Sequence, residues 1–451
     1  MIVKLLQKIK ITHYRGYFDE QIIEFAQPSG KHGSGLTLIV GPNNTGKTTI
    51  IESLLLSAEK KFKHSDRHET AIPNIDIIST SGSCNYSNID RGSQIKTSGN
   101  HGLDFEVIQS RRFWQDYSQQ TYNTDQFAQQ SKKHDLRNSS GVDTAGVLKS
   151  INRSNKEKFN TYMKKLIPHF SDWTIDTNER GDYVKYGISG REHQSSFLGD
   201  GIISLFRICA HLLNESPNRV FIIDEPELSL HPSAQKSLSK LLSEIAKNKQ
   251  IILCTHSPYF SNWEDFVNGA KFIRLNKLND IQCEVSSLKN DKNYATFIEN
   301  NLLDWQKPQL LDVAAKEVLF SERILFVEGQ EDVGLIRKWL NENNKNQNFD
   351  IFGYGVSGYS NMKLFLEMAK DLNLHKVAAL YDSGPDANRS YAEDSANYPQ
   401  FFFKKLSTSD IRDKPSDLGS KIGIFDKSGN IKDEHKISFE EIMDAIINYF
   451  N

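Results

Sequence analysis

One short segment constrains the fold of this chain more than any other. Residues 41–49, Gly-Pro-Asn-Asn-Thr-Gly-Lys-Thr-Thr, match the phosphate-binding pattern G-x-x-x-x-G-K-[ST] at every fixed position. An apolar run of strand length, Leu36 to Val40, precedes the segment, and apolar positions with helical spacing follow it from Thr49 to Ser57. The sequence therefore predicts a phosphate-binding loop between a buried strand and a helix N-terminus.

The residue types in this loop predict how it would bind a nucleotide. Backbone N–H groups and the positive end of the helix favour an anionic phosphate chain, Lys47 reaches the outer phosphates, and Thr48 ligates Mg²⁺. A chance Gly-Lys-Thr turn is the alternative, and the flanking strand and helix argue against it. The expected ATP-binding residues of the loop are Gly41, Asn43, Asn44, Thr45, Gly46, Lys47, Thr48 and Thr49.

Length and composition limit the class of protein. The 451 residues predict two or three domains, and the net charge of −2 means that any contact with DNA has to come from local patches. The cysteines are widely spaced without a C-x-x-C pattern, which argues against a zinc site or a disulfide framework and fits a reducing cytoplasm. No signal peptide or membrane-spanning run is found, so a soluble, cytoplasmic protein without a membrane partner is expected.

A polar stretch from about residue 64 to residue 180 is interpreted as an insertion, partly loop and partly helical. Within it, residues 111–114 (Arg-Arg-Phe-Trp) either contact nucleic acid or belong to a strand with solvated arginines. A helix predicted from Ala145 to His169 carries several lysines that either follow DNA phosphates or form an ordinary solvated face. These lysines are Lys156, Lys158, Lys164 and Lys165.

Three later segments add the other parts of a nucleotide hydrolase. A turn containing Gly199 and Gly201 opens onto a long apolar helix and offers a second anion-binding surface. An apolar strand then ends in Asp224, placed to hold Mg²⁺, and Glu225, placed to orient and deprotonate the attacking water. A further buried strand ends at His256, which can donate to the γ-phosphate.

Together these segments resemble the Walker A, signature, Walker B/D-loop and switch-histidine segments of ABC-type ATPases. In that superfamily two heads enclose ATP between them, so the resemblance implies a homodimer or higher oligomer through the ATPase heads, with ATP and Mg²⁺ as cofactors. The signature, Leu-Gly-Asp-Gly at residues 198–201, departs from the usual Ser-Gly-Gly form. The glutamine of the Q-loop is either Gln94 or Gln109.

The C-terminal part predicts a second site. Two apolar strands, residues 324–327 and 377–381, are followed by Glu328 and Asp382, and a helix lies between them. Parallel strands joined by a crossover helix bring such carboxylates to one sheet edge, where an all-oxygen site suits Mg²⁺ or Mn²⁺. Acids that end their strands in solvent would give the same pattern.

This arrangement resembles the TOPRIM domain of topoisomerases, primases and some nucleases. The resemblance implies that Glu328 is a general acid/base or metal ligand and that Asp332 and Asp382 are ligands. The D-x-D motif of the family is not intact, because residues 382–384 read Asp-Ser-Gly. Asp386 is a candidate substitute ligand.

Lys414 is a candidate for stabilising the transition-state charge of phosphodiester cleavage. A solvated lysine in a Lys-Pro turn is the alternative interpretation of the same residue.

An ABC-type ATPase followed by a TOPRIM domain resembles the OLD (overcoming lysogenization defect) family over nearly the whole chain, including the join from residue 314 to residue 329. The resemblance implies an ATP-hydrolysing, Mg²⁺- or Mn²⁺-dependent endonuclease acting on DNA in antiphage defence, in some relatives with a retron reverse transcriptase and its msDNA. The alternative is an ATPase sensor or scaffold whose degenerate TOPRIM domain holds a partner effector. A transporter subunit would have no use for the metal domain.

The predicted fold class is therefore α/β, with an ABC-type P-loop ATPase head carrying a polar and helical insertion and a small Rossmann-like TOPRIM domain after it. The predicted bounds are 1–305 for the ATPase domain, 306–322 for a linker helix and 323–451 for the TOPRIM domain.

Overall fold

The computed structural model divides the chain into two compact units, Met1–Val285 and Ser286–Asn451. The division falls before the predicted end of the ATPase domain at residue 305. Residues 111–114, Leu198 and most of the predicted linker helix lie outside the described residues. The structure describes residues 3–59, 71–88, 94–109, 144–178, 181–194, 199–213, 216, 218–290, 292–302, 316–353, 356, 358–416 and 419–451.

The first unit contains three sheets and their covering helices. Its strands are β1 (Leu6–Thr12), β2 (Gln21–Glu24), β3 (Leu36–Val40), β4 (Asn74–Ser79), β5 (Gly82–Asn88), β6 (Ile95–Gly99), β7 (Asp104–Ile108), β8 (Phe170–Asn178), β9 (Gly181–Ile188), β10 (Arg191–Gln194), β11 (Arg219–Asp224), β12 (Gln250–Cys254), β13 (Lys271–Lys277) and β14 (Cys283–Ser287). Its helices are α1 (Lys47–Glu59), α2 (Thr144–Ser154), α3 (Lys156–Leu166), α4 (Asp200–Leu212), α5 (Pro232–Ile245) and α6 (Trp263–Val267).

The central sheet positions the nucleotide-binding motifs. Its strand order is β14-β13-β3-β12-β11-β7, and the pairs from β13 to β7 are parallel. Strands β3 and β12 are buried along their full length, as continuous apolar runs in a parallel sheet require. Because parallel strands end at the same edge, the P-loop after β3, the acids of β11 and His256 after β12 meet there.

Part of the predicted insertion is integral to the sheets. Strands β4, β5 and β6 join β1 and β2 in an antiparallel sheet of order β2-β1-β4-β5-β6, and β7 is an edge strand of the central sheet. In β5 the buried positions Cys84 and Tyr86 alternate with small polar residues. The polar half of this alternation gave the segment the composition of a loop.

The helix predicted from Ala145 to His169 is two helices, α2 and α3. The chain breaks at Asn155, which has φ −137° and ψ 21°. The buried residues Phe159, Met163 and Leu166 still lie on one face of α3, which explains why the apolar spacing suggested one continuous helix.

The second unit is built on a parallel sheet of order β16-β15-β17-β18. Its strands are β15 (Arg323–Phe326), β16 (Asp350–Phe352), β17 (Lys376–Tyr381), β18 (Phe402–Lys405), β19 (Asp410–Arg412), β20 (Lys414–Ser416), β21 (Gly419–Lys421) and β22 (Gly423–Phe425). Its helices are α7 (Asn293–Asn301), α8 (Gln330–Glu342), α9 (Tyr359–Asp371), α10 (Pro385–Asn397) and α11 (Asp433–Phe450), with a 3₁₀ turn at Glu317–Leu319.

The α/β fold class predicted from the sequence is confirmed. The cysteines are all buried and free, as their spacing indicated. In the part of the chain that the structure describes, no helix has the length and apolar character needed to cross a bilayer.

Candidate functional site

The Lys47 side chain folds back and donates hydrogen bonds to the backbone of its own loop. The Nζ of Lys47 donates to the carbonyl oxygens of Gly41 and Pro42, each at 2.7 Å, and Thr45 Oγ1 donates to Pro42 O at 2.8 Å. Burial lowers the pKa of the Lys47 ammonium, while nearby acids, including Glu225, act in the opposite direction. The loop thus holds a buried positive charge where a phosphate chain would enter.

The backbone conformation of the P-loop and its contact with Tyr17 explain why residue 46 is glycine. Gly46 has φ 95°, and a Cβ on it would lie 2.6 Å from Tyr17 Oη. That hydroxyl donates weakly to the carbonyl of Gly46 at 3.3 Å. Asn44, at φ 61°, adopts the left-handed conformation that Asn tolerates best after Gly. Asn43, Asn44 and Thr48 are exposed, whereas Thr49 is buried.

The catalytic acids predicted after β11 lie beside the end of β12. Asp224 is the last residue of β11, and the Glu225 N–H donates to Cys254 O at 2.8 Å. Glu225 has φ 45°, a left-handed conformation that turns its side chain out of the strand path. His256 Nε2 lies 3.8 Å from Glu225 Oε1.

The electrostatics of His256 suit a hydrogen-bonding role. Partial burial and then the nearby Lys47 charge lower the pKa of His256, and Glu227 and Glu225 oppose this effect. The ring is therefore neutral at neutral pH and can donate from one nitrogen.

The two signature glycines lie at the start of α4. Gly199 is the N-cap residue, and a Cβ on Gly201 would lie 2.6 Å from the carbonyl oxygen of Ser229. The first turn of α4 therefore packs directly on the segment that follows Asp224 and Glu225. This close approach requires glycine at position 201.

The structure distinguishes the two Q-loop candidates. Gln109 directly follows β7, whose Ile108 pairs with Ile223 of β11, so this glutamine lies at the same sheet edge as Asp224. Gln94 lies just before β6 in the antiparallel sheet. The position of Gln109 favours it as the Q-loop residue.

In the second unit, three predicted acids meet at the carboxyl ends of β15 and β17. The Asp382 N–H donates to Glu328 Oε1 at 2.9 Å, and the Gly329 N–H donates to Asp332 Oδ2 at 2.6 Å. Strands β15 and β17 are adjacent and parallel, with Phe326 opposite Ala379. The crossover topology predicted from the sequence therefore brings Glu328, Asp332 and Asp382 to one edge.

Both aspartates resist ionisation. Burial above all, then the charge of Glu328, raises the pKa of Asp332 to about 7 against the hydrogen bond from Gly329. Burial, followed by Glu328, Asp332 and Asp410, raises the pKa of Asp382 to about 9. These are carboxyl groups whose negative charge lacks sufficient compensation.

Lys414 is held in ion pairs and is not simply a solvated lysine. Its Nζ lies 2.8 Å from Asp410 Oδ1 and 2.7 Å from Glu331 Oε2, and Arg412 also pairs with Glu331. These cations lower the pKa of Glu331 to about 2, with the Arg412 hydrogen bond as the largest cause. The Lys414 charge also acts on Asp332 and Asp382.

Asp386 is not brought to the cluster. It lies exposed in the first turn of α10, 3.9 Å from Arg389. Glycine at position 384 therefore has no carboxylate substitute from this turn.

The acid cluster fits a hard divalent cation by donor type. Glu328, Asp332 and Asp382 offer oxygen donors, and a cation would offset the burial and the mutual repulsion that raise both aspartate pKa values. As they stand, however, no three His, Cys, Asp or Glu side chains within the described ranges are arranged to hold an ion.

Three further acids lie at or near these sites: Glu227, Glu331 and Asp410. The Glu-Pro-Glu spacing after β11 points to Glu227, whereas the pairing of Asp410 with Lys414 joins two short strands and has no signal in the sequence. Glu331 carries no comparable signal in the sequence.

Comparison with known families identifies both domains. Residues 36–262, half of the chain, match a family described as "AAA domain, putative AbiEii toxin, Type IV TA system". Residues 319–383 match "Overcoming lysogenization defect protein-like, TOPRIM domain". The chain joins an AAA-type ATPase domain to an OLD-like TOPRIM domain, the arrangement of the OLD family of ATPase–TOPRIM proteins.

Two curated members of similar sequence are nucleases by name. Endonuclease GajA of Bacillus cereus (strain VD045) is 29% identical over 175 residues, which cover 38% of this chain and 27% of GajA. The OLD nuclease of Thermus scotoductus is 39% identical over 114 residues, which cover 25% of this chain and 20% of that OLD protein. The matches thus span about a quarter of the length of these OLD-family relatives.

Among solved structures, an SMC head bound to the C-winged helix domain of ScpA aligns with a TM-score of 0.47 at 14% identity. The alignment covers 63% of this chain and 98% of that chain.

Proposed function

We propose that this OLD-family chain is an ATP-hydrolysing, divalent-metal-dependent endonuclease that cuts DNA. The observation that carries the proposal is the placement of Glu328, Asp332 and Asp382 at one sheet edge in a chain with a complete P-loop. The nuclease names of the GajA and OLD relatives support the same activity.

In the nuclease unit, Glu328, Asp332 and Asp382 would hold Mg²⁺ or Mn²⁺. The bound ion supplies Lewis-acid chemistry, which activates water and offsets charge on the phosphodiester. Lys414, held by Asp410 and Glu331, presents a cation for the charge that develops on the leaving oxygen.

In the ATPase unit, the loop residues of the P-loop would bind ATP, with Thr48 and Asp224 holding its Mg²⁺. Glu225 is proposed to orient and deprotonate water, and His256 to donate to the γ-phosphate. Gly199 and Gly201 would face the nucleotide of a second copy, so the working assembly is proposed to be a homodimer or higher oligomer through the heads.

Plasmid cleavage tests the nuclease proposal. The wild type should cut DNA with Mn²⁺ or Mg²⁺, and Glu328→Ala should abolish the cutting. Glu322→Ala removes an exposed acid just before β15 and should cut like the wild type. A wild type that makes no metal-dependent cut under any nucleotide condition would remove the nuclease proposal.

One observation favours the second candidate, an ATPase sensor or scaffold. Ser383 Oγ donates to Leu406 O, and position 384 is glycine, so the D-x-D turn presents a single carboxylate. A wild type that hydrolyses ATP, cuts nothing and retains a partner effector would establish this function instead.

We further propose a cytoplasmic role in antiphage defence, which the OLD-family resemblance supports. A phage that the system blocks should form fewer plaques on cells that carry the wild type than on cells without it. Glu328→Ala should abolish this protection. Recovery of a reverse transcriptase and msDNA with the protein would identify a retron system, and protection without them would exclude it.

A further inference from the structure

Glu227 accepts two hydrogen bonds from the loop that carries His256. Thr255 Oγ1 donates to Glu227 Oε2, and the backbone N–H of His256 donates to Glu227 Oε1, both at 2.7 Å. One carboxylate therefore holds two consecutive residues of the histidine loop. Thr255 is fully buried, so this attachment is protected from water on the threonine side.

Gln235 of α5 is hydrogen-bonded to the same loop on the other side of His256. Ser257 Oγ donates to Gln235 Oε1 at 2.6 Å, and Gln235 Nε2 donates to Leu230 O at 2.9 Å. The Ser257 N–H also donates to Thr255 Oγ1 at 3.0 Å. A closed set of hydrogen bonds thus fastens residues 255–257 to residues 227–235.

We propose that Glu227 and Gln235 are positioning residues that hold His256 in register with Glu225 for ATP hydrolysis. This inference rests on the proposed ATPase function. The His256 side chain is 35% exposed and lies 3.8 Å from Glu225, so packing around the ring alone does not fix it. The backbone on both sides of His256 has to be fixed instead. The hydrogen bonds that Glu227 and Gln235 make with residues 255–257, called the clamp from here on, fix it.

The clamp also connects the histidine loop to the signature helix. Ser229 lies between Glu227 and Leu230, and its carbonyl is the atom that a Cβ on Gly201 would meet at 2.6 Å. A displacement of the first turn of α4 would therefore press on the same segment that holds His256.

Donor and acceptor requirements separate the conservative variants. Glu227→Gln can keep both bonds, because its amide oxygen can accept from the His256 N–H and its NH₂ group can donate to the Thr255 hydroxyl, which also accepts. Gln235→Glu still accepts from Ser257 but opposes a carboxylate to the Leu230 carbonyl, so it loses one bond. Alanine at either position loses both bonds.

The test measures ATP turnover and nucleotide affinity with the full chain. Glu227→Ala and Gln235→Ala should lower kcat by on the order of tenfold to a hundredfold, because a misplaced catalytic group costs this much. The affinity for a fluorescent ATP analogue should stay unchanged, Gln235→Glu should be intermediate, and Glu227→Gln should resemble the wild type. Lys240→Ala, on the exposed face of α5, is the matched control and should behave like the wild type.

The decisive measurement repeats both alanine changes in a His256→Ala background. Residues that act through His256 should cause no further loss there. Further loss in that background, unchanged kcat in the single variants, or a parallel fall in affinity would each overturn the clamp. A wild type without any ATP turnover would instead refute the ATPase function, and the clamp with it.

Discussion

His256 Nε2 stands 3.8 Å from Glu225 Oε1 at the carboxyl edge of the central sheet. Because partial burial and Lys47 lower the pKa of His256, the ring is neutral at neutral pH and does not neutralise the Glu225 carboxylate. A neutral His256 forms no ion pair with Glu225, which suits the proposed abstraction of a proton from water by Glu225.

Glu225→Gln should therefore leave ATP binding intact and lower turnover by on the order of a hundredfold, since general-base catalysis contributes about this much. ATP should then hold the proposed dimer closed. Turnover assays and light scattering with ATP check both effects. Glu264→Gln, an exposed acid on α6, is the control, and unchanged turnover in Glu225→Gln would remove Glu225 from its role.

Lys47→Ala should abolish nucleotide binding, because the buried ammonium at the P-loop is lost. A ligand at a hundred times its Kd stabilises the folded state by about 2.7 kcal/mol, so ATP should raise the Tm of the wild type clearly. The variant should show no such shift. Lys31→Ala, at an exposed lysine before β3, should retain it, and an ATP-induced shift in Lys47→Ala would contradict the prediction.

Gly46→Ala should destabilise the first unit more than Gly30→Ala. Both glycines have positive φ, 95° and 83°, so both variants suffer backbone strain. A Cβ meets Tyr17 Oη at 2.6 Å at position 46 but nothing within 4 Å at position 30. The extra cost of overpacking should be about 1–3 kcal/mol, measured on the thermal transition that ATP shifts. Equal Tm values for the two variants would show that Tyr17 moves aside freely.

In EDTA, the second unit should lose stability as pH rises. The folded-state pKa values of Asp332 and Asp382, about 7 and about 9, lie above the ordinary value of 3.8. Folding therefore favours the protonated carboxyls, and their contribution is complete below pH 3.8 and is lost as pH rises through 7 and 9. Thermal unfolding of the full chain between pH 5 and pH 9 measures this.

Two comparisons check the origin of that pH dependence. Asp382→Asn should make the Tm depend less on pH, because an asparagine side chain does not ionise. Mn²⁺ should restore stability more at pH 8 than at pH 6, because the ligands are then deprotonated. A profile that neither the substitution nor Mn²⁺ alters would place the effect elsewhere in the chain.

The sequence predicted the elements whose signals are local. The P-loop pattern, the apolar strand before it and the acids at 224 and 225 all follow from short-range periodicity and residue type. Strands β4 to β6 were assigned to an insertion, because their buried residues are separated by small polar ones and their stability comes from pairing with β1. The break at Asn155 was missed because apolar spacing continues across it.

What the sequence determined by itself was the pair of chemistries, a triphosphate loop on a parallel sheet and acids at the ends of two later strands. Only the tertiary structure decided which distant side chains lie near these motifs. It places Gln109 rather than Gln94 at the sheet edge, Lys414 in ion pairs with Asp410 and Glu331, Asp386 in the exposed first turn of α10, and Glu227 on the histidine loop. The physical reason is that motif residues are fixed by backbone spacing within one element. Their partners are fixed by packing between elements far apart in the chain, which periodicity does not encode.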